Sequence, residues 1–335
     1  MKITSLISVG TFVSAIFSFS ALAQQLSGAG ASFPAPLYQR WAVEYNKLHP
    51  KVQVNYQSVG SGAGVKQFSQ GTVNFAASDA AMSDEEIAKV KQGVLMIPAT
   101  AGSIVIAYNL PGVAELKLSR EAYAGIFLGK VKKWNDPAIA KENPGVSLPD
   151  LAINVAYRSD GSGTTFVFTK HLAAISKEFA DEVGTDKSVT WPVGAGGKGN
   201  EGVTALIKQT PGTVGYVEYG YAVNNGVSMA SLQNKSGKFV KPSDASGAAT
   251  LANVQFPENL RVWPEDPSGA EDYPIATFTW LLLYKKYSDP AKAEALKGFV
   301  TYGLTGGQKL STELGYIPLP ANVVEKGKAA LATVE

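Results

Sequence analysis

Ile153-Asn154-Val155-Ala156-Tyr157-Arg158-Ser159-Asp160-Gly161-Ser162-Gly163-Thr164-Thr165 runs from an extended segment into a turn of glycine and hydroxyl residues, and Phe166 to Ala173 then reads as a helix. Strand, glycine-rich turn and helix in this order mark a parallel sheet covered by helices. The same succession recurs upstream. A short strand near Leu26-Ser27 enters Gly28-Ala29-Gly30-Ala31-Ser32-Phe33-Pro34-Ala35-Pro36, and a helical pattern follows through Leu37, Trp41 and Tyr45. Val52 to Tyr56 alternates as a strand, and Ser58-Val59-Gly60-Ser61-Gly62-Ala63-Gly64 leads into a helix with Val65 and Phe68. Val73-Asn74-Phe75 leads to Ala77-Ser78-Asp79, and Ser83-Asp84-Glu85-Glu86 has the residues of a capped helix start. Val94 to Pro98 and Ser103 to Tyr108 read as two strands, Thr277 to Leu283 has strand length, and Asn234 to Ala249 reads as surface loop. The class is therefore α/β.

The termini and composition narrow the setting. Met1-Lys2, an apolar run from Leu6 to Phe19 and the small-residue end Ala21-Leu22-Ala23 make a secretory signal peptide, 1–23, cleaved after Ala23. The run is shorter than the ~20 residues of a spanning helix, so no transmembrane anchor is expected. The chain has no cysteine. That excludes a disulfide framework, thiolate metal sites, a cysteine nucleophile and a lipid-modified N-terminus, and it fits a bacterial periplasm. A chain of 335 residues exceeds what one core usually serves, so two lobes are expected. Thirty basic residues stand against 28 acidic ones without a basic block, so neither nucleic acid nor anionic lipid is an expected partner. The two histidines, His49 and His171, are far apart and read as surface or helix-end residues; no metal, cofactor or Ser-His-Asp triad is expected.

Three turns share one chemistry. Ser32-Phe33, Gly60-Ser61-Gly62 and Ser162-Gly163-Thr164 each put small hydroxyl residues where a helix begins. The first N–H groups of a helix have no internal partner, and the helix dipole is positive there, so such ends bind anions. The same hydroxyls also suit plain N-caps. Arg158, with a planar fork that matches an oxyanion, stands beside the third turn. Asp79 admits two roles: it caps the following helix, or it accepts a proton from a protonated oxyanion such as hydrogen phosphate, which sulfate cannot offer.

The segments Ser27 to Pro36, Ala77-Ser78-Asp79-Ala80, Leu128-Gly129-Lys130-Val131-Lys132-Lys133-Trp134-Asn135, Arg158 to Thr164 and Gly196-Gly197-Lys198-Gly199-Asn200 closely resemble the phosphate-binding proteins of bacterial phosphate-specific ABC importers. The resemblance covers essentially the whole chain after the leader. It implies an α/β, two-lobed periplasmic binding protein fold of type II, each lobe a central sheet flanked by helices. Two hinge crossings are expected near Pro98-Ala99 and Pro274-Ile275, with 24–99 plus 275–335 as lobe I and 100–274 as lobe II. A buried, dehydrated phosphate would lie between the lobes. The family's ligand positions fall on Ser32, Phe33, Ser61, Asp79, Arg158, Ser162, Gly163 and Thr164, and Asp160 matches the residue that steadies the arginine. Ser32 departs from the threonine of some relatives but keeps the hydroxyl. The implied protein is a periplasmic monomer that passes inorganic phosphate to the transmembrane subunits of an ABC importer. A receptor for another oxyanion, or a secreted hydrolase using the same pocket, are the alternatives.

Gly194-Ala195-Gly196-Gly197-Lys198-Gly199 also matches the dinucleotide pattern G-x-G-x-x-G. A lone match is weak, and an exposed-backbone or cleft-lining loop is the better reading.

Overall fold

The computed structural model describes residues 24–252 and 254–335; the expected signal peptide lies outside them. Its strands are β1 (Gln24–Gly30), β2 (Val52–Ser58), β3 (Phe75–Ser78), β4 (Val94–Tyr108), β5 (Lys117–Leu118), β6 (Asn154–Arg158), β7 (Ala195–Gly197), β8 (Thr213–Glu218), β9 (Ser228–Met229), β10 (Ser231–Gln233), β11 (Phe239–Val240) and β12 (Ala276–Tyr284). The main sheet runs in the order β2-β1-β3-β12-β4-β8-β6-β7, and β9 pairs with β4. A small sheet, β11-β10-β5, lies apart from it.

The sheet has two halves of like construction. In the first, β1 is parallel to both β2 and β3. In the second, β6 is parallel to both β7 and β8. The long strand β4 belongs to both: Val94–Ser103 pair antiparallel with β12, and Ile104–Tyr108 pair antiparallel with β8. β4 thus passes from one half to the other, changing partner between Ser103 and Ile104, in keeping with the two-lobed fold that the resemblance implies.

Sequence reading splits β4 in two because Pro98 and Gly102 interrupt its apolar run. The structure keeps it whole by a local irregularity. Trp280 faces Pro98 while Thr279 faces Thr100, so one residue of β4 is skipped. A bulge is one of the few sheet positions where a residue without an N–H is tolerated. The stretch read as surface loop also differs, since it contains β11 and the start of the helix Asp244–Ala252.

Each half buries one face of its helices against the sheet. Leu37, Trp41, Phe68, Phe75, Trp280 and Phe299 are buried in the first half, and Tyr123, Phe127, Trp134, Phe168, Ile207 and Tyr216 in the second. These side chains fix the parallel strands, and the strands aim their carboxyl ends at one cleft. The turns after β1, β2 and β3 meet those after β6, β7 and β8 there. Ligands of open α/β sheets bind outside the carboxyl ends of the strands, where the backbone offers unpaired donors. Among the described residues no helix is long and apolar enough to cross a membrane.

Candidate anion-binding cleft

The first half of the cleft begins at Ser32 and Phe33, between β1 and the helix Ala35–Leu48. Both are buried. Neither N–H has an acceptor among the described residues, since the chain turns there without a ladder or helix bond. Ser61 opens the helix Ser61–Ser69 and is fully buried. Gly60 precedes it at φ +87°, where a Cβ would stand 2.2 Å from Asp160 Oδ2 of the other half. Only glycine permits both that backbone and that approach.

Asp79 follows β3 and is 1% exposed. Thr279 Oγ1 donates to its Oδ1 at 2.7 Å, and Trp263 Nε1 donates to its carbonyl at 3.1 Å. Its Oδ2 is buried without a partner. Burial pushes this carboxyl up from its ordinary value to about 7; the Thr279 bond and the Arg158 charge pull against that rise.

Arg158 closes the second half at the end of β6. Its Nε and one terminal nitrogen donate to Asp160 Oδ1 and Oδ2 at 2.8 and 2.6 Å. The other terminal nitrogen donates to Thr164 Oγ1 at 3.3 Å. Burial disfavours both charges, yet the fork geometry wins: Arg158 is held above its ordinary pKa and Asp160 below it. Asp160 Oδ1 also accepts from Gly199 N–H at 3.0 Å. Gly163 starts the helix Gly163–Ile175, where a Cβ would lie 2.5 Å from Ser61 Oγ and 2.6 Å from Asp79 Oδ2. This glycine lets the second half reach the first.

The hydroxyls share one polarity. A hydroxyl has two acceptor lone pairs and one proton to give. Ser32 Oγ accepts from Asn200 N and Nδ2 at 3.0 and 2.8 Å. Ser61 Oγ accepts from Gly163 N at 3.0 Å and Asp79 N at 3.4 Å. Thr164 Oγ1 accepts from Arg158 and, at 3.2 Å, from Asn200 Nδ2. Ser162 Oγ accepts from Thr165 N at 3.0 Å, capping the helix. With two N–H donors each, Ser32, Ser61 and Thr164 have their lone pairs engaged and can only donate; the Thr164 hydroxyl also helps to hold the Asp79 carboxyl down. The cleft is thus lined with donors, and Asp79 Oδ2 is the lone-pair acceptor set among them.

Comparison with known proteins agrees. Residues 19–305 match the model of the PBP superfamily domain. The phosphate-binding protein PstS of Pasteurella multocida is 46% identical over 321 residues, covering 95% of this chain and 92% of its own length. The chain belongs to the phosphate-binding protein family of the PBP superfamily. The PstS of Haemophilus influenzae is 43% identical, covering 93% of this chain and 94% of its own. A high-affinity periplasmic phosphate-binding protein, solved with phosphate bound, has the same fold at a TM-score of 0.75 and 22% identity, with 91% and 93% of the two chains covered.

All eight positions taken from the family pattern, with Asp160, line this cleft, but their roles divide. Ser61 and Gly163 touch across the halves, and Ser162 Oγ caps its helix. Asn200, which sequence reading left unassigned, is fully buried and bonds to both Ser32 and Thr164, while its Oδ1 accepts from Glu218 N–H at 2.9 Å. Its signal was present: Gly196-Gly197-Lys198-Gly199-Asn200 repeats the strand, glycine turn and helix start of the other site loops. The loop set aside as a dinucleotide match does line the cleft. Thr279 and Trp263, which hold Asp79, gave no sequence signal. Of the surface or helix-end positions expected for the histidines, His171 takes neither: it lies inside the helix Gly163–Ile175, buried, its Nε2 paired with Tyr123 Oη at 2.9 Å, and burial pulls its pKa down to about 4.

Proposed function

We propose that this protein captures inorganic phosphate in the periplasm and delivers it to the transmembrane subunits of an ABC phosphate importer. The observation that carries this reading is the polarity of the cleft: hydroxyls whose lone pairs are taken by N–H groups, the unpaired N–H groups of Ser32 and Phe33, and Arg158, against the unpartnered carboxylate oxygen of Asp79. Donors suit an oxyanion. The lone acceptor suits one that keeps a proton, and it repels one that has none. Sulfate is fully ionised at neutral pH, whereas hydrogen phosphate carries an O–H.

Ser32, Phe33, Ser61, Ser162 and Thr164 donate to the anion in this account, and Gly163, whose N–H is given to Ser61 Oγ, brings the two halves together around it. Arg158 pairs with its charge, Asp160 steadies Arg158, and Asp79 accepts its proton. The lobes, 24–99 with 275–335 and 100–274, close as hinged bodies around the dehydrated ligand. Residues 1–23 direct export and are cleaved after Ala23, leaving a soluble monomer.

A hydrolase is the weaker reading. The nitrogens that reach the site hydroxyls are amide, guanidinium and backbone N–H groups, which donate and so deprotonate nothing. His171 is committed to Tyr123. Equilibrium dialysis of ligand-stripped protein with labelled phosphate tests the proposal. Uptake that persists under excess sulfate supports it; displacement by equimolar sulfate overturns it.

A further inference from the structure

Direct contacts between the halves are not confined to the ligand-facing groups. Gly62 N–H donates to Gly161 O at 2.8 Å, and Ser58 Oγ donates to Glu201 Oε1 at 3.1 Å. At the rim, Lys187 Nζ meets Glu86 Oε1 at 2.7 Å, joining the loop after the helix Lys177–Glu182 to the helix Asp84–Ala88. Both side chains are largely covered, at 22% and 29% exposure.

The two partners are each anchored before they meet. Glu86 Oε2 accepts from Ser83 N–H at 2.9 Å, and Glu86 N–H donates to Ser83 Oγ at 3.2 Å. This capping box holds the carboxylate in place and leaves Oε1 for the lysine. Burial would raise the Glu86 carboxyl, but the Lys187 bond and the Ser83 N–H outweigh it and hold the group below its ordinary pKa. On the other side, the carbonyl of Lys187 accepts from Ser162 N–H at 2.8 Å. The residue that reaches across the rim is therefore bonded through its backbone to a ligand-facing turn.

We infer that Lys187 and Glu86 form a clasp that holds the closed cleft and sets how long the anion stays bound. The inference rests on the phosphate reading for its ligand, but the clasp itself is a contact between lobes. A contact made only after closure acts on release and leaves the encounter step nearly untouched. A half-covered pair is worth more than an exposed one and less than a buried one. Its loss should speed release about three- to tenfold. The attraction is electrostatic, so 1 M salt, with a screening length of about 3 Å, should speed release from the wild type and not from the variants.

Stopped-flow measurement of phosphate release from the full protein tests this with Lys187→Met, Glu86→Gln, the double variant and Lys187→Arg. Glutamine preserves the capping box, methionine preserves the stem, and circular dichroism checks folding. The clasp predicts faster release in either single variant, no further gain in the double, near wild-type release in Lys187→Arg, and an unchanged association rate. Wild-type release from Lys187→Met at low salt, or single effects that multiply in the double, would overturn it. If the wild type takes up no phosphate, the functional reading fails and small-angle scattering judges the clasp. A larger radius of gyration for Lys187→Met than for wild type then supports the contact, and equal radii overturn it.

Discussion

The two sides of the cleft are assembled from one unit, a parallel strand running into a turn and a helix, yet they divide the electrostatic work. The β6 side carries Arg158, its charge matched by Asp160 in a two-bond fork. The β1–β3 side carries no cation at the ligand positions; it offers Ser32, Phe33, Ser61 and the carboxyl of Asp79. In the proposed reading, affinity is concentrated on the β6 side and selectivity on the β1–β3 side. A receptor built this way discriminates only when closed, because an anion held by the β6 side alone never meets Asp79.

Removing Arg158 breaks the comparison at its strongest point. Arg158→Ala takes away the cation and leaves the partly buried Asp160 carboxylate, held only by Gly199 N–H, beside an anion. Such a loss is worth about 3–5 kcal/mol, on the order of a hundred- to a thousandfold or more in affinity. Titration calorimetry with phosphate checks it, and circular dichroism separates lost binding from lost folding.

The Asp79 side carries its own cost. Its carboxyl sits higher in the folded protein than the ordinary 3.8, at about 7. Its contribution to stability is therefore whole below about pH 4 and is lost as pH rises through about 7. At pH 8 the ligand-free protein gives up as much as about 4 kcal/mol to keep this carboxylate buried. Ligand-free Asp79→Asn should melt higher than wild type at pH 8, with the gap closing toward pH 4. Equal melting temperatures at pH 8 would mean that the carboxylate is relieved by water or by opening of the cleft.

Asn200 sits between the sides and sharpens the account at smaller scale. Its amide polarises a hydroxyl on each lobe, Ser32 at 2.8 Å and Thr164 at 3.2 Å. Asn200→Ala frees one lone pair on each hydroxyl, since Ser32 keeps the backbone N–H of residue 200 and Thr164 keeps Arg158, and strands Glu218 N–H. Phosphate affinity should fall by about 1–2 kcal/mol, and more through loss of orientation than of charge. The salt dependence of binding should therefore stay that of the wild type, which calorimetry at two ionic strengths measures.

Much of this was legible in the sequence, for reasons that differ by region. The turns after β1, β2 and β6 announce themselves because strand, glycine and hydroxyl come in a fixed order that local geometry requires. The capping box at Ser83 and Glu86 is equally local, and both of its bonds form. What stayed hidden depends on partners distant in the chain. Pro98 reads as a break because nothing nearby tells of the bulge opposite Trp280. The helix Asp244–Ala252 is masked by small residues that suit a loop as well. Thr279 and Trp263 reach Asp79 across 200 and 184 residues, a link that no spacing pattern records. The burial of His171 is legible by contrast, since Val167, Phe168 and Leu172 around it describe a buried helix.

The central claim is that one buried acceptor chooses the ligand. Competition titrations of phosphate against sulfate, run in parallel on wild type and Asp79→Asn, test it directly. The asparagine keeps the shape of the side chain, removes its charge and can turn an N–H toward an unprotonated oxygen. The account predicts strong preference for phosphate in wild type, within the ~10⁴–10⁵ that a mispaired buried group can enforce. In the variant that ratio should fall by orders of magnitude, mainly through a gain in sulfate affinity. An unchanged ratio would contradict the account and reduce Asp79 to a structural carboxyl.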